Sequence, residues 1–462
     1  MNIVMRKIGL ELEYPAVFAD GTGIDHKTIK LIWNDFVSAH PEWSLKEEKH
    51  GKAITGMYRN VDGYTEVINT DRGVCTVEFS LAPKETIQEN EKNVARLLSQ
   101  FTTVAEKRGV HLLTTGCQPI TWLDRSKQTE KDWYILFNVV VPHWEHAVPM
   151  ASHQAAIDVS IEEWPVVLKN SSALSGLIVA LTTSAPLAQG KIAEWKSMRK
   201  WIWHQWNAKF SKNIQPYLSN DMPEQPYESV DDYLRFFWDS SLFFLTENKS
   251  DGYRMLNNES IIEYLKAKKP IPVVGMDGIE TEIMPDKKML NSLHQYGWPG
   301  EKMHYFFDDS STIDGVVDAY NNNSLTEYLT THSAGAYLEF RPSGVARKGE
   351  EMAVPALLLG LAENMNEATE LENRLTWNEW IAIKDDAQEH GLDFAENKER
   401  NLKLIAEMLE IAEAGLQKRK LGEEKYLEPL KKNLKTGMTL ADDIIASFTE
   451  GGMQRVLEEF TY

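Results

Sequence analysis

Three short stretches of the chain alternate apolar with polar residues and set an acid inside the polar half. In IGLELEY, residues 8–14, Leu10, Leu12 and Tyr14 alternate with Glu11 and Glu13. In CTVEFSLAP (75–83), Val77, Phe79 and Leu81 oppose Thr76, Glu78 and Ser80, and in AYLEFRPSG (336–344), Leu338 and Phe340 oppose Tyr337, Glu339 and Arg341. A strand sends successive side chains to opposite faces, so each stretch predicts one apolar face and one acidic face. A related run, SHQAAIDVS, sets Gln154, Ala156 and Asp158 against His153, Ala155 and Ile157. Like charges side by side on a sheet face repel. If these strands share a sheet, the acids converge and need a counter-charge. Hard cations with oxygen ligands, Mg²⁺ or Mn²⁺, supply it and keep positions open for phosphate oxygens. Strand order cannot be read from periodicity, so a solvated acidic face stays open as the alternative at this level.

The strand-like runs are 7–14, 76–83, 111–119, 133–141, 154–162 and 336–344. A long amphipathic helix is expected over 84–109, ending at Gly109. No regular βαβ alternation separates the strands, which predicts an α+β fold with a mainly antiparallel sheet. From about residue 350 the texture turns helical, with Leu402, Ile405, Leu409, Ala412 and Leu416 at helical spacing and Thr439 as a helix cap. The expected organisation is a catalytic sheet part over 1–349 and a helical segment over 350–462 packed on it, with no flexible linker between them.

At 462 residues, 42% hydrophobic and 26% charged, the chain reads as globular rather than disordered. Its 49 basic and 69 acidic residues give a net charge of -20. That speaks against nucleic acid or an anionic membrane as partner, both of which need a basic surface. Apolar stretches such as 353–362 are about half the length that crosses a bilayer. With no signal-peptide pattern and only two cysteines, Cys75 and Cys117, the expected compartment is the cytoplasm. Both cysteines read as small buried residues rather than catalysts. PHWEH (142–146), with His143, His146 and the later His153, is read as loop and packing histidines rather than a metal site. AQGKIA (188–193) lacks the residues of a P-loop, and no GxGxxG occurs.

The motifs, taken in order, resemble those of the glutamate–cysteine ligases, in the branch of plants and many proteobacteria. GLELE (9–13) matches Gly-x-Glu-x-Glu, and VEFSLAPKETIQE (77–89) matches a Phe-Glu-Leu-Ser…Pro…Glu-Thr run. GCQP (116–119), QAAIDVS (154–160), APLAQGKIAEWKSMRKWIW (185–203), YLEFRPSG (337–344) and the tail AEAGLQKRKLGEEKYLEPL (412–430) follow in the family's order. The resemblance implies a glutamine-synthetase-like catalytic fold, an antiparallel sheet curved into a funnel surrounded by helices. It implies metal ligands at Glu11, Glu13, Asp71, Glu78, Gln154 and Glu339, and Mg²⁺, or Mn²⁺ in its place. Arg199 would grip an amino-acid carboxylate, with Gln154 beside the substrate, and Arg341 and Gln118 would contact ATP; Arg199 and Arg341 are the expected catalytic residues. The implied reaction joins the γ-carboxylate of L-glutamate to the amine of L-cysteine through γ-glutamyl phosphate, the first step of glutathione synthesis. The implied partners are these small substrates, in a monomer or homodimer. HQWNAKFSKN (204–213) and the short THSAGA (331–336) depart from the family pattern, which leaves a different acceptor amine as the alternative.

Overall fold

The computed structural model describes residues 5–140, 143–209, 222–240, 244–246, 252–257, 259–295 and 297–462. Its centre is a nine-stranded antiparallel sheet. In chain order the strands are β1 (Ile8–Val17), β2 (Ser44–Glu47), β3 (Ile54–Val61), β4 (Tyr64–Thr70), β5 (Thr76–Lys84), β6 (His111–Leu112), β7 (His153–Asp158), β8 (Glu301–Phe307) and β9 (Ser333–Phe340). Across the sheet they run β8-β9-β7-β1-β5-β4-β3-β2, with β6 pairing the end of β1. The antiparallel α+β expectation holds.

Alternation decides which face does what. Leu12 on β1 lies opposite Phe79 on β5, and both are buried together with Leu10, Tyr14, Val77 and Ile157. Helices cover that face. Helix α1 (His26–Ala39) brings Trp33 and Phe36, and α2 (Ile87–Glu106) brings Leu97 and Phe101. Phe101 meets Phe79 edge-on at 5.5 Å between ring centroids. Each large side chain removed from water in this way contributes roughly 1.5–3 kcal/mol. The opposite face stays open for the acids.

Helix α2 starts later than expected because Lys84 still belongs to β5. Thr86 and Glu89 close a capping box at its start, each side chain answering the other's backbone N–H. The run 133–141 is a correction. It forms helix α3 (Asp132–Val140), not a strand; Val141 lies outside the described residues. A run that is apolar but for Asn138 carries no period of two, and tertiary contacts decide it. The Asp132 carboxylate accepts the backbone N–H groups of His50 and Gly51, both at 2.8 Å, and its own N–H donates to Glu48 at 2.8 Å. Of 111–119 only His111–Leu112 pairs as a strand.

Helix α4 (Trp164–Thr182) is long and apolar enough to cross a membrane by length and composition, which the shorter apolar runs did not foretell. Most of its length is buried against the sheet and the C-terminal helices, which is the setting of a core helix. The chain from residue 350 onward is helical, and Leu440–Phe460 is capped at Thr439 as expected. One hydrophobic cluster reaches from Ile8 to Leu430, so the helical segment shares the core of the sheet. The helices Ala353–Glu363 and Lys398–Arg419 touch through glycines: a Cβ on Gly415 would lie 1.9 Å from the Gly360 carbonyl oxygen. Gly415→Ala is therefore expected to force the two helices apart and cost about 1–3 kcal/mol, read as a lower thermal midpoint. An unchanged midpoint would contradict this backbone-to-backbone contact.

Candidate functional site

Register brings the predicted acids together. Glu13 on β1 lies directly opposite Glu78 on β5, while Glu11 lies between Ser80 on β5 and Gln154 on β7. One carboxylate oxygen from each of Glu11, Glu13 and Glu78 falls within 4.8 Å of the others. Among the described residues this is the one group of three acid, histidine or cysteine side chains so placed.

Each carboxylate is held from one side. The Ser152 backbone N–H and hydroxyl donate to Glu13 Oε2 at 2.6 and 2.9 Å. Gln154 Nε2 donates to Glu11 Oε1 at 2.7 Å and more weakly to Glu13 Oε1 at 3.4 Å. Asn69 and Ser80 donate to Glu78 Oε1 at 3.1 and 2.7 Å, and Lys131 Nζ stands 3.9 Å from its other oxygen. Burial, then the charge of Glu78, pushes the Glu11 carboxyl well above the usual range. Burial, reinforced by Asp71, pushes that of Glu13 up to about 8. Three crowded oxygen donors, of which those of Glu11 and Glu13 resist ionising in this way, suit a hard divalent cation. Gln154 Oε1 is buried and makes no hydrogen bond among the described residues, which offers a further neutral oxygen.

Glu339 faces the same space but is answered differently. Burial works against its charge, yet Arg341 at 3.0 Å and His304 at 2.7 Å together hold its carboxyl well below the usual range. His304 stacks on Tyr337 with centroids 4.4 Å apart, and burial drops its pKa to about 4. Glu339 is thus a carboxylate already paired within the protein. Asp71 lies at the edge of the group and acts on Glu13 through its charge.

Two cavities meet at this cluster. The larger, about 1230 Å³, runs over the small residues Gly9 and Ala156 toward Arg6 and Arg419. The smaller, about 450 Å³, holds Glu13, Glu78, Asp71, Arg199 and Arg341. Glu11, Ser80, Tyr337 and Glu339 line both. Arg199 sits in the first turn of helix α5 (Met198–Asn207), is 7% exposed, and its Nε has no hydrogen-bond partner among the described residues. Burial lowers its pKa to about 10, so it remains a cation with Glu13 as the leading nearby acid.

Gln118 reaches neither cavity. It is fully buried and donates to the Cys75 carbonyl, which turns its amide away from both cavities. Cys75 and Cys117 are buried, and burial pushes both thiols up to about 12, which leaves them inert. The His143 and His146 rings lie 6.1 Å apart and His146 bonds the His143 carbonyl, while His153 accepts from the Ala346 N–H, and the three form no ligand group among the described residues. Sequence reasoning missed Arg72, Lys131 and His304, all on the smaller cavity. Arg72 adjoins Asp71 in TDRGVC and was the one within reach of a closer reading.

The description "Glutamate-cysteine ligase family 2(GCS2)" belongs to the family model that matches residues 42–459, starting after the strand that carries Glu11 and Glu13. Among solved structures the chain is similar to a bifunctional glutathione synthetase from Pasteurella multocida, at 13% identity and a TM-score of 0.52. That match covers 98% of this chain and 51% of the other, so the chain spans about half of that protein's length. It is also similar to a glutamate–cysteine ligase from Francisella tularensis solved with AMP, at 11% identity and a TM-score of 0.51, covering 99% of this chain and 87% of that one. At these identities the likeness concerns the fold. No curated protein sequence matches the chain.

The raised pKa of Glu13 couples stability to protons, and a cation bound at the acids would compete with them. Without a cation the Glu13 carboxyl keeps its proton up to about pH 8 in the folded protein, against 4.5 ordinarily. The folded state therefore binds the extra proton in that window, and stability falls as pH rises through it. In EDTA-treated protein the thermal midpoint is expected to fall from about pH 5 to about pH 8.5, and Mg²⁺ to restore more of it at the higher pH, where protons no longer compete. An equal Mg²⁺ gain at both pH values would contradict the assignment.

Proposed function

The chain belongs to glutamate-cysteine ligase family 2, which makes it a ligase, and on that premise we propose that it joins the γ-carboxylate of L-glutamate to the amine of L-cysteine with cleavage of ATP. The products are γ-glutamylcysteine, ADP and phosphate. The observation that carries this reading is the meeting of Glu11, Glu13 and Glu78 where the two cavities join.

ATP is assigned to the larger cavity and the amino acids to the smaller, so the γ-phosphate and the glutamate γ-carboxylate meet over the acids. The carboxylate oxygen attacks the γ-phosphorus in line and ADP leaves. The amine then attacks the acyl carbon of γ-glutamyl phosphate, and phosphate leaves. Glu11, Glu13 and Glu78 would hold Mg²⁺, or Mn²⁺ in its place, with Asp71, Gln154 and Glu339 at the edge of the set. A cation bound there neutralises phosphate oxygens as charge moves onto the leaving group.

The chain's own groups do the positioning. Arg199, buried and still charged, presents its fork to the glutamate α-carboxylate. Arg341, fixed by Glu339, offers its remaining N–H groups toward the phosphates. Trp133, Tyr134, Trp203, Phe244 and Trp298 line the smaller cavity and exclude water, which would otherwise hydrolyse the acyl phosphate. No nucleophilic serine or cysteine is required.

ADP release measured with glutamate, Mg²⁺ and a panel of amino acids tests the proposal. Release is expected to require glutamate and to rise most with cysteine. No glutamate-dependent release would sink the ligase assignment, and a larger response to another amine would replace cysteine as acceptor. Glu78→Gln is expected to lower kcat on the order of 100- to 1000-fold with little change in thermal midpoint. Wild-type turnover in that variant would remove Glu78 from the cation site.

A further inference from the structure

The smaller cavity carries a cation for which the steps above have no use. Arg72, only 6% exposed, stands on its wall. Its guanidinium lies 5.1, 5.3 and 5.7 Å from the ring centroids of Trp203, Trp206 and Trp298. Two of these rings come from helix α5, the helix that also carries Arg199. Indole faces attract a guanidinium and restrict how it can turn, while the rings keep water away from it. An anion reaching such a group meets a charge weakly screened by solvent. Neither Arg72 nor its tryptophans line the larger cavity, so the group lies on the amino-acid side of the acid cluster.

We propose that Arg72, held among Trp203, Trp206 and Trp298, binds the α-carboxylate of the acceptor, so that this ligase takes α-amino acids rather than simple amines. The inference rests on the smaller cavity being the amino-acid side of the reaction. Three guanidiniums line that cavity: Arg72, Arg199 and Arg341. Arg341 is committed to Glu339. Transfer of a γ-glutamyl group onto an amino acid brings two α-carboxylates into one space, one for Arg199 and one for Arg72. An amine without a carboxylate forgoes the attraction of the buried Arg72 charge, so the carboxylated acceptor is the one this cavity favours. Burial already works against the charge on Arg72, with Asp71 the leading group that supports it, and an incoming carboxylate adds to that support.

The test compares kcat/KM for pairs that differ only by the carboxylate, cysteine with cysteamine and alanine with ethylamine, using glutamate and MgATP throughout. The wild-type enzyme is expected to prefer the carboxylated member by at least about tenfold. Arg72→Met is expected to bring that ratio close to one by raising KM for the amino acid. Arg72→Lys, which keeps the charge but loses the fork, should fall between the two. A wild-type enzyme that uses cysteamine as well as cysteine would overturn the proposal, as would an Arg72→Met enzyme with the wild-type ratio. Should Arg72→Met not fold, the wild-type ratio and the Arg72→Lys ratio decide. Hydroxylamine, which needs no anchor, reports γ-glutamyl activation separately in the wild type. Absence of γ-glutamyl hydroxamate means that the ligase reading itself has failed; hydroxamate without any preference for carboxylated acceptors means that only the Arg72 assignment has.

Discussion

The repulsion among Glu11, Glu13 and Glu78 is the constraint on which the rest of the arrangement depends. Three carboxylates within 4.8 Å, largely removed from water, would normally drive a sheet apart or into another register. What prevents it is the other face. A slip of one residue on β1 would turn Leu10, Leu12 and Tyr14 toward the cavity and the acids into the core of Trp33, Phe79 and Phe101. The hydrophobic side thus fixes where the acids sit, and neighbours that donate hydrogen bonds, Ser152, Gln154, Asn69 and Ser80, hold each one from behind. The charge is left facing inward at the junction of two cavities, where a bound cation would lower it.

The contrast with Glu339 explains how one site keeps carboxylates in two states. Glu339 has Arg341 and His304 within hydrogen-bonding distance and stays ionised. Glu11 and Glu13 have mainly other acids and are pushed toward the neutral form. The difference is one of partners rather than of burial, since all of them are shielded from water. A carboxylate answered by an arginine keeps its place whatever binds beside it, whereas acids crowded against one another are the ones a bound cation would relieve. Glu339 and Arg341 are therefore suited to fixing the rim of the junction, and Glu11, Glu13 and Glu78 to responding to what binds there.

Much of this was legible in the sequence because a strand writes its two faces in alternate letters. Glu11, Glu13, Glu78 and Glu339 could be found from that pattern, and their convergence was then a matter of strand order, which pairing in space alone decides. The two cations and the histidine were hidden for the same reason in reverse. Arg72 lies in the turn between β4 and β5, Lys131 just ahead of α3, and His304 on the edge strand β8, where no period links them to the acids. The run 133–141 misled because its apolar residues alternate with nothing. Its helix starts where Asp132 holds the loop backbone of His50 and Gly51 and gives its own N–H to Glu48, contacts that no local window contains. Gln118 matched a family motif in letters while its side chain turned inward to the Cys75 carbonyl.

A chain of net charge -20 that is to take up anionic substrates needs its positive groups where the substrates go, not spread over the surface. The smaller cavity meets that need: Lys46, Arg72, Lys131, Arg199, Lys302 and Arg341 all line it. Charges on the outer surface more than about 8 Å away are screened at physiological salt, while those inside a buried cleft are not. The field a substrate meets on entry is thus set by the few groups around the cleft and hardly by the total. Acids and bases alternate there for a physical reason. The acids alone would repel nucleotide and amino acid, and the bases alone would hold them without admitting the cation that the phosphates require. Only the combination would let cation, nucleotide and amino acids, as proposed, neutralise one another in a single desolvated space. The net charge therefore argues against nucleic acid as a partner while leaving small anions as substrates.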